Sequence, residues 1–127
     1  MSKTVCKIIG VVLLLVGLAG FVQPHLLGMH LTTIHNVVHL LTGLIAVYLG
    51  FAGTFTAART FCLVFGAVYL ALGILGFVAP GLVATVLGHD GPLSARELIP
   101  DNAVHVLLGA AFLVVGLMSP RVVVKTA

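Results

Sequence analysis

The sequence predicts an all-α fold: an integral membrane four-helix bundle made of two parallel-oriented helical hairpin repeats. Three observations point there. Apolar residues make up 61% of the 127-residue chain and charged residues only 7%, against roughly 25% charged in an average soluble domain. Six basic and three acidic side chains cannot cover a domain of this size in water, whereas a hydrocarbon solvent asks for none. Four apolar stretches of bilayer length follow one another, and the second pair repeats the first.

The first stretch, residues 5–22, stops before Pro24. Lys3 and Lys7 ahead of it imitate a signal peptide, but no small-x-small cleavage site follows, and the same segment recurs later in the chain. It reads as a retained helix. The second, 35–52, ends at Gly53-Thr54-Phe55, the third, 60–79, at Pro80, and the fourth, 101–118, before Pro120. Each is close to the length a spanning helix needs. The chain is expected to form one membrane domain, 1–127, with repeat one at 5–53 and repeat two at 60–118.

The repeat is the strongest pattern in the chain. Residues 8–24 match residues 64–80 at an offset of 56, through Gly10/Gly66, Gly17/Gly73, Gly20/Gly76 and Pro24/Pro80, and Cys6 falls on Cys62. Residues 36–43 match 102–109 at an offset of 66, through Asn36/Asn102, His39/His105 and Gly43/Gly109. The ten extra residues fall in the connection 81–100. Lys3, Lys7, Arg59, Arg121 and Lys125 lie at the termini and in the middle loop, and only Arg96 lies on the opposite side. The positive-inside rule then puts both termini in the cytoplasm, and the two hairpins are related by an axis along the membrane normal.

That orientation collects Asp90, Glu97, Asp101 and all six histidines at the outer side. His25, His30, His35 and His89 belong to the outer connections, while His39 and His105 lie one turn inside helices two and four. Helical spacing puts His35, His39, Gly43 and Gly50 on one face of helix two, and Asp101, His105, Gly109 and Gly116 on the same face of helix four. Gly10, Gly17, Gly43, Gly50, Gly66, Gly73, Gly109 and Gly116 are the expected helix-packing positions, because small residues let helices approach closely in lipid. The histidines continue those faces and should point inward.

Three readings of His35, His39, Asp101 and His105 stay open. In the first they are structural: His35 or Asn36, and Asp101 or Asn102, cap helix starts, while His39 and His105 bond each other or nearby carbonyls. In the second they are ligands, three imidazoles and a carboxylate suited to a first-row metal ion, with a haem or chlorin held through His39 and His105 as a variant. In the third the cluster titrates near neutral pH and biases helix packing. Cys6 and Cys62 are read as small apolar packing groups, Tyr48 as an interface anchor and Tyr69 as core filling. Arg96 and Glu97 with Asp101 suggest a local ion pair.

Several classes are disfavoured. The basic residues form no nucleic-acid patch. Ser2, Ser94 and Ser119 lack a His–acid arrangement, and there is neither a phosphate-binding glycine loop nor a His-Glu-x-x-His motif. No charge sits mid-membrane to mark a transport path.

The duplicated Gly-Phe-Val-x-Pro that ends helices one and three, with Asn-x-x-His-x-x-x-Gly opening helices two and four, resembles the bacterial four-helix membrane family called domain of unknown function 4383. Asn36 to Gly43 carries the family's Asn-x-x-His-Leu stretch, and Val106 replaces the Leu in the second copy. The resemblance covers nearly the whole chain and implies a four-helix protein of a bacterial plasma membrane. It implies no activity. The expectation is therefore a non-enzymatic membrane protein without a cofactor, acting as an accessory or assembly subunit beside other membrane subunits or copies of itself. The alternative is a metal- or tetrapyrrole-binding membrane protein.

Overall fold

The computed structural model describes residues 1–91 and 93–121. It consists of five α-helices: α1 (Ser2–Val22), α2 (Thr33–Phe51), α3 (Phe55–Val78), the short α4 (Pro80–Val86) and α5 (Ala95–Met118). No strand occurs among the described residues. α1, α2, α3 and α5 are each long and apolar enough to cross a membrane.

Two elements depart from the sequence expectation. Pro80 ends α3 but also opens α4, occupying a first-turn position where a missing N–H costs nothing. α5 begins six residues earlier than expected, at Ala95, because Ser94 and Glu97 form a reciprocal capping box ahead of it. The Ser94 amide and hydroxyl both donate to Glu97 Oε2, at 3.1 and 2.7 Å. The helix then runs through Pro100, whose ring nitrogen can donate nothing to the preceding turn. On the other hairpin Thr32 caps α2, its hydroxyl accepting from the His35 amide at 3.1 Å and donating to the Leu87 carbonyl. That last bond ties the start of α2 to the segment after α4. Between α1 and α2 the chain turns through Leu27 and Gly28, both at positive φ (52° and 82°).

α1 packs on α2 and α3 packs on α5. Along α1 the buried positions are Ser2, Cys6, Gly10, Leu13, Gly17 and Gly20, a three-and-four spacing that keeps one seam toward the neighbouring helices. Glycine lets the backbones meet. A Cβ on Gly10 would stand 2.9 Å from Val47, and one on Gly66 would stand 2.6 Å from the Leu113 amide nitrogen. A side chain on Gly20 would collide with Asn36, and one on Gly76 with Asn102. Gly50 faces Lys7 and Gly116 faces Leu63 in the same way. Positions 56 and 66 residues apart thus meet equivalent partners in the two helix pairs.

The pairs meet at both ends, one of which holds the start of α1 and the end of α5. There Ser2 and Ser119 hydroxyls lie 2.6 Å apart, and Cys6 Sγ is 3.7 Å from Cys62 Sγ. Ala46, Ala58, Phe61 and Phe112 complete this core with the two thiols. Lys3, Lys7, Arg59 and Arg121 belong to the same end: Arg59 Nε donates to the Ser119 carbonyl at 3.1 Å, and Lys7 lies 4.7 Å from the Phe51 ring centre. Lys125 lies outside the described residues.

Candidate functional site: a buried histidine cluster

At the opposite end α2 and α5 bring His35, His39 and His105 together. The capped first turn of α2 places His35 and His39 one turn apart on the face that continues into Gly43, and the rings come to 4.4 Å between centres. α5 supplies His105 from across the bundle, stacked on His35 at 5.4 Å and 6.5 Å from His39. Each offers one donor nitrogen such that all three lie within 4.8 Å of one another. His35, His39 and His105 are 1%, 6% and 3% exposed.

Asp101 closes the group from the mouth. Its carboxylate is 3.9 Å from His35 Nε2 and 3.5 Å from His105 Nδ1, and it keeps 13% of its side chain exposed. His105 Nδ1 is 2.8 Å from the Asp101 backbone carbonyl, which fixes the ring and leaves Nε2 available to a ligand. A metal-bound histidine is usually held this way, with its other nitrogen on a carbonyl or carboxylate. Tyr69 of α3 stacks on His105 at 5.5 Å. Both ring nitrogens of His35, and Nδ1 of His39, are buried with no hydrogen-bond partner among the described residues. Such a group costs about 1–3 kcal/mol when left unpaired.

The candidate residues read from the sequence therefore converge, with corrections to their roles. Thr32 and Ser94 cap the helices, so His35, Asn36, Asp101 and Asn102 are not caps. Asn36 and Asn102 instead lie against Gly20 and Gly76, where the facing helix has no side chain. Asn36 Nδ2 donates to the Leu31 carbonyl at 3.5 Å. Arg96 forms no ion pair with Glu97 or Asp101 among the described residues; Glu97 is engaged by Ser94 and Asp101 faces the histidines. Tyr69 is core, 3% exposed, and Tyr48 is 65% exposed. Cys6 and Cys62 are buried free thiols at the other end. Sequence reasoning missed Tyr69 as a wall of the cluster, since nothing along α3 reports which residue of α5 it meets.

The three imidazoles pack on one another and Tyr69 packs on His105. Zinc–nitrogen bonds of 2.0–2.1 Å in tetrahedral geometry set donors about 3.3 Å apart. The three donors, within 4.8 Å of one another, would have to draw together to reach that separation. His89, outside the spanning helices, has its imidazole pushed below the ordinary value, first by burial and then by nearby His30, with Glu97 and Asp90 opposing.

Four apolar helices arranged in this way are compatible with a multi-pass membrane protein. The chain belongs to a family described as a domain of unknown function (DUF4383), whose profile matches residues 3–118. No curated protein and no solved structure matches it significantly.

Proposed function

We propose that the protein is a non-enzymatic, multi-pass membrane protein that holds a divalent first-row metal ion, of the zinc class, through His35, His39 and His105, with Asp101 as fourth ligand or as the group that orients the imidazoles. The observation that carries this is the set of unpartnered, buried imidazole nitrogens of His35 and His39 beside a third imidazole already oriented by a carbonyl. A non-enzymatic role is supported by the serines: Ser2 pairs with Ser119, and Ser94 with Glu97, so none meets a histidine. Lys3, Lys7, Arg59 and Arg121 at the opposite end support a cytoplasmic placement of both termini. The family resemblance favours a bacterial plasma membrane.

The test is zinc titration of the full-length protein in detergent micelles against a competing chelator. Wild type binds, and His39→Ala or His105→Ala weakens binding by about a hundredfold or more, exceeding the 10–100-fold typical of losing a supporting group. Unchanged affinity in both variants overturns the metal reading.

A second reading, an accessory or assembly subunit of a larger complex or homo-oligomer, is supported by the outward apolar rows. Ile8, Leu15 and Leu18 of α1, and Leu107, Val114 and Leu117 of α5, are all largely exposed and available to lipid or to another helix. Gentle extraction from native membranes tests it: migration with a larger assembly supports it, and migration as a single chain contradicts it.

A further inference from the structure

The remaining three histidines also form a cluster. His25 and His30 stack at 4.7 Å, and His30 meets His89 edge-on at 5.0 Å. They come from two separate connections, brought together because the Thr32 hydroxyl anchors the start of α2 to the Leu87 carbonyl, two residues before His89. A surface cavity opens here, lined by His30, Thr32, His89, Asp90 and Glu97. His25 is exposed, while His30 and His89 are half-buried. Every histidine of the chain therefore belongs to one of two triads, an outer one with His30 and His89 in this cavity and His25 stacked beside them, and the inner one on α2 and α5.

The side chains between the triads are acidic. Glu97, Asp101 and His105 follow at four-residue intervals on α5, which puts them on one face. Glu97 lines the outer cavity, and Asp101 touches both His35 and His105. Across from them, His35 and His39 descend α2 at the same interval. From Glu97 at the outer cavity, Asp101 lies one turn along α5 and His105 one turn beyond that. Of the basic side chains, Lys3, Lys7, Arg59 and Arg121 are at the other end of the bundle, and Arg96 stands next to Glu97 at this one.

We propose that His25, His30 and His89, with Glu97, are a capture site for the same class of divalent first-row cation, passing it by ligand exchange to the inner triad by way of Asp101. The proposal rests on the metal reading of the inner triad. Handover changes neither bonds within the protein nor oxidation state: imidazole and carboxylate ligands replace water and then one another, as suits a borderline-soft ion with nitrogen donors. A cavity lined by acids raises the local cation concentration, and focusing of this kind accelerates association by roughly 10–1000-fold.

The experiment uses the full chain in detergent micelles and zinc ion alone. Bound zinc per chain is counted at saturation, and the loading rate at limiting zinc is followed by rapid mixing with a chromophoric chelator. The variants are the triple His25→Gln, His30→Gln, His89→Gln, the single Glu97→Gln, and the double His39→Gln, His105→Gln, each checked for helicity and monodispersity. Wild type should bind two ions. The triple variant should bind one, loading the inner site at least about tenfold more slowly at little-changed equilibrium affinity, and Glu97→Gln should slow loading with both ions retained. The double variant should keep the outer ion. Wild-type loading and stoichiometry in the triple variant overturn the capture site while leaving the inner one standing. Wild-type stoichiometry and affinity in the double variant overturn the inner site, and the handover with it.

Discussion

The two ends of the bundle bury polar side chains in opposite ways. At the basic end Ser2 bonds Ser119, Cys6 meets Cys62, and Arg59 reaches the Ser119 carbonyl, so each of these polar groups has a protein partner. At the histidine end His35 and His39 are also buried, yet they keep unpartnered nitrogens. Helix packing alone explains the first end. Polar groups there bridge the two helix pairs. At the second end, of the three imidazoles, only that of His105 is tied to protein at hydrogen-bond distance, and one donor nitrogen from each lies within 4.8 Å of the others. A buried network left half-satisfied is unfavourable by itself, and the proposed ion would complete it.

The largest effect should separate the ends directly. Zinc at about a thousandfold over its dissociation constant stabilises the folded state by about 4 kcal/mol, read as a raised melting temperature in micelles. His39→Ala with His105→Ala should abolish that rise, and Cys6→Ala with Cys62→Ala should preserve it. If the thiol variant loses it instead, the assignment of ends is reversed.

Packing comes next. Gly109→Ala drives a methyl group into the Leu70 backbone, whereas Gly43→Ala meets Leu14 and the Gly10 carbonyl less closely, at 2.9 Å. Overpacking costs about 1–3 kcal/mol, and Gly109→Ala should fall at the upper end, with Gly43→Ala milder, in thermal melts followed by size exclusion. Equal losses would show that the α3–α5 pair is no tighter than the α1–α2 pair.

Removing the Ser2 hydroxyl should be smaller still. Ser2→Ala leaves Ser119 without its 2.6 Å partner and should cost about 1 kcal/mol, with zinc affinity unaltered. A matching loss of zinc affinity would mean that the ends are coupled.

Acid gives the smallest effect, in metal-free protein. His89 is held below its ordinary imidazole value by burial and by His30, so the unfolded chain takes up the proton first. Stability from this group is present above the unfolded value, about pH 6.5, and is lost as pH falls toward the lower folded value. His89→Gln should flatten that acid limb of the melting profile. An unaltered limb would assign it to other groups.

Much of this arrangement is legible in the sequence because spacing on a helix is a local property. The glycine rows, the His35–His39 step and the Asp101–His105 step each follow from 3.6 residues per turn, and the structure buries those glycines and histidines. The helix starts are less legible. Asn36 and Asp101 carry good capping side chains, but Thr32 and Ser94, four and seven residues upstream, do the capping. Pro80 reads equally as a stop or as a first-turn residue, which hides α4 in an expected loop. Contacts between helix pairs leave no local trace. The Tyr69 ring on His105 and the two thiols at 3.7 Å depend on how the pairs pack, which no single helix encodes. The contact of Asn36 with Gly20, and of Asn102 with Gly76, does carry a signal: both partners recur together at the repeat offsets.

The most direct test of the histidine end is cobalt(II) substitution, with the visible spectrum of the full-length protein recorded in micelles. The account predicts the intense d–d absorption of a tetrahedral site, lost in His39→Gln with His105→Gln and unaffected by Cys6→Ala with Cys62→Ala. A spectrum indistinguishable from that of hydrated cobalt, or one that survives the loss of both histidines, would contradict it.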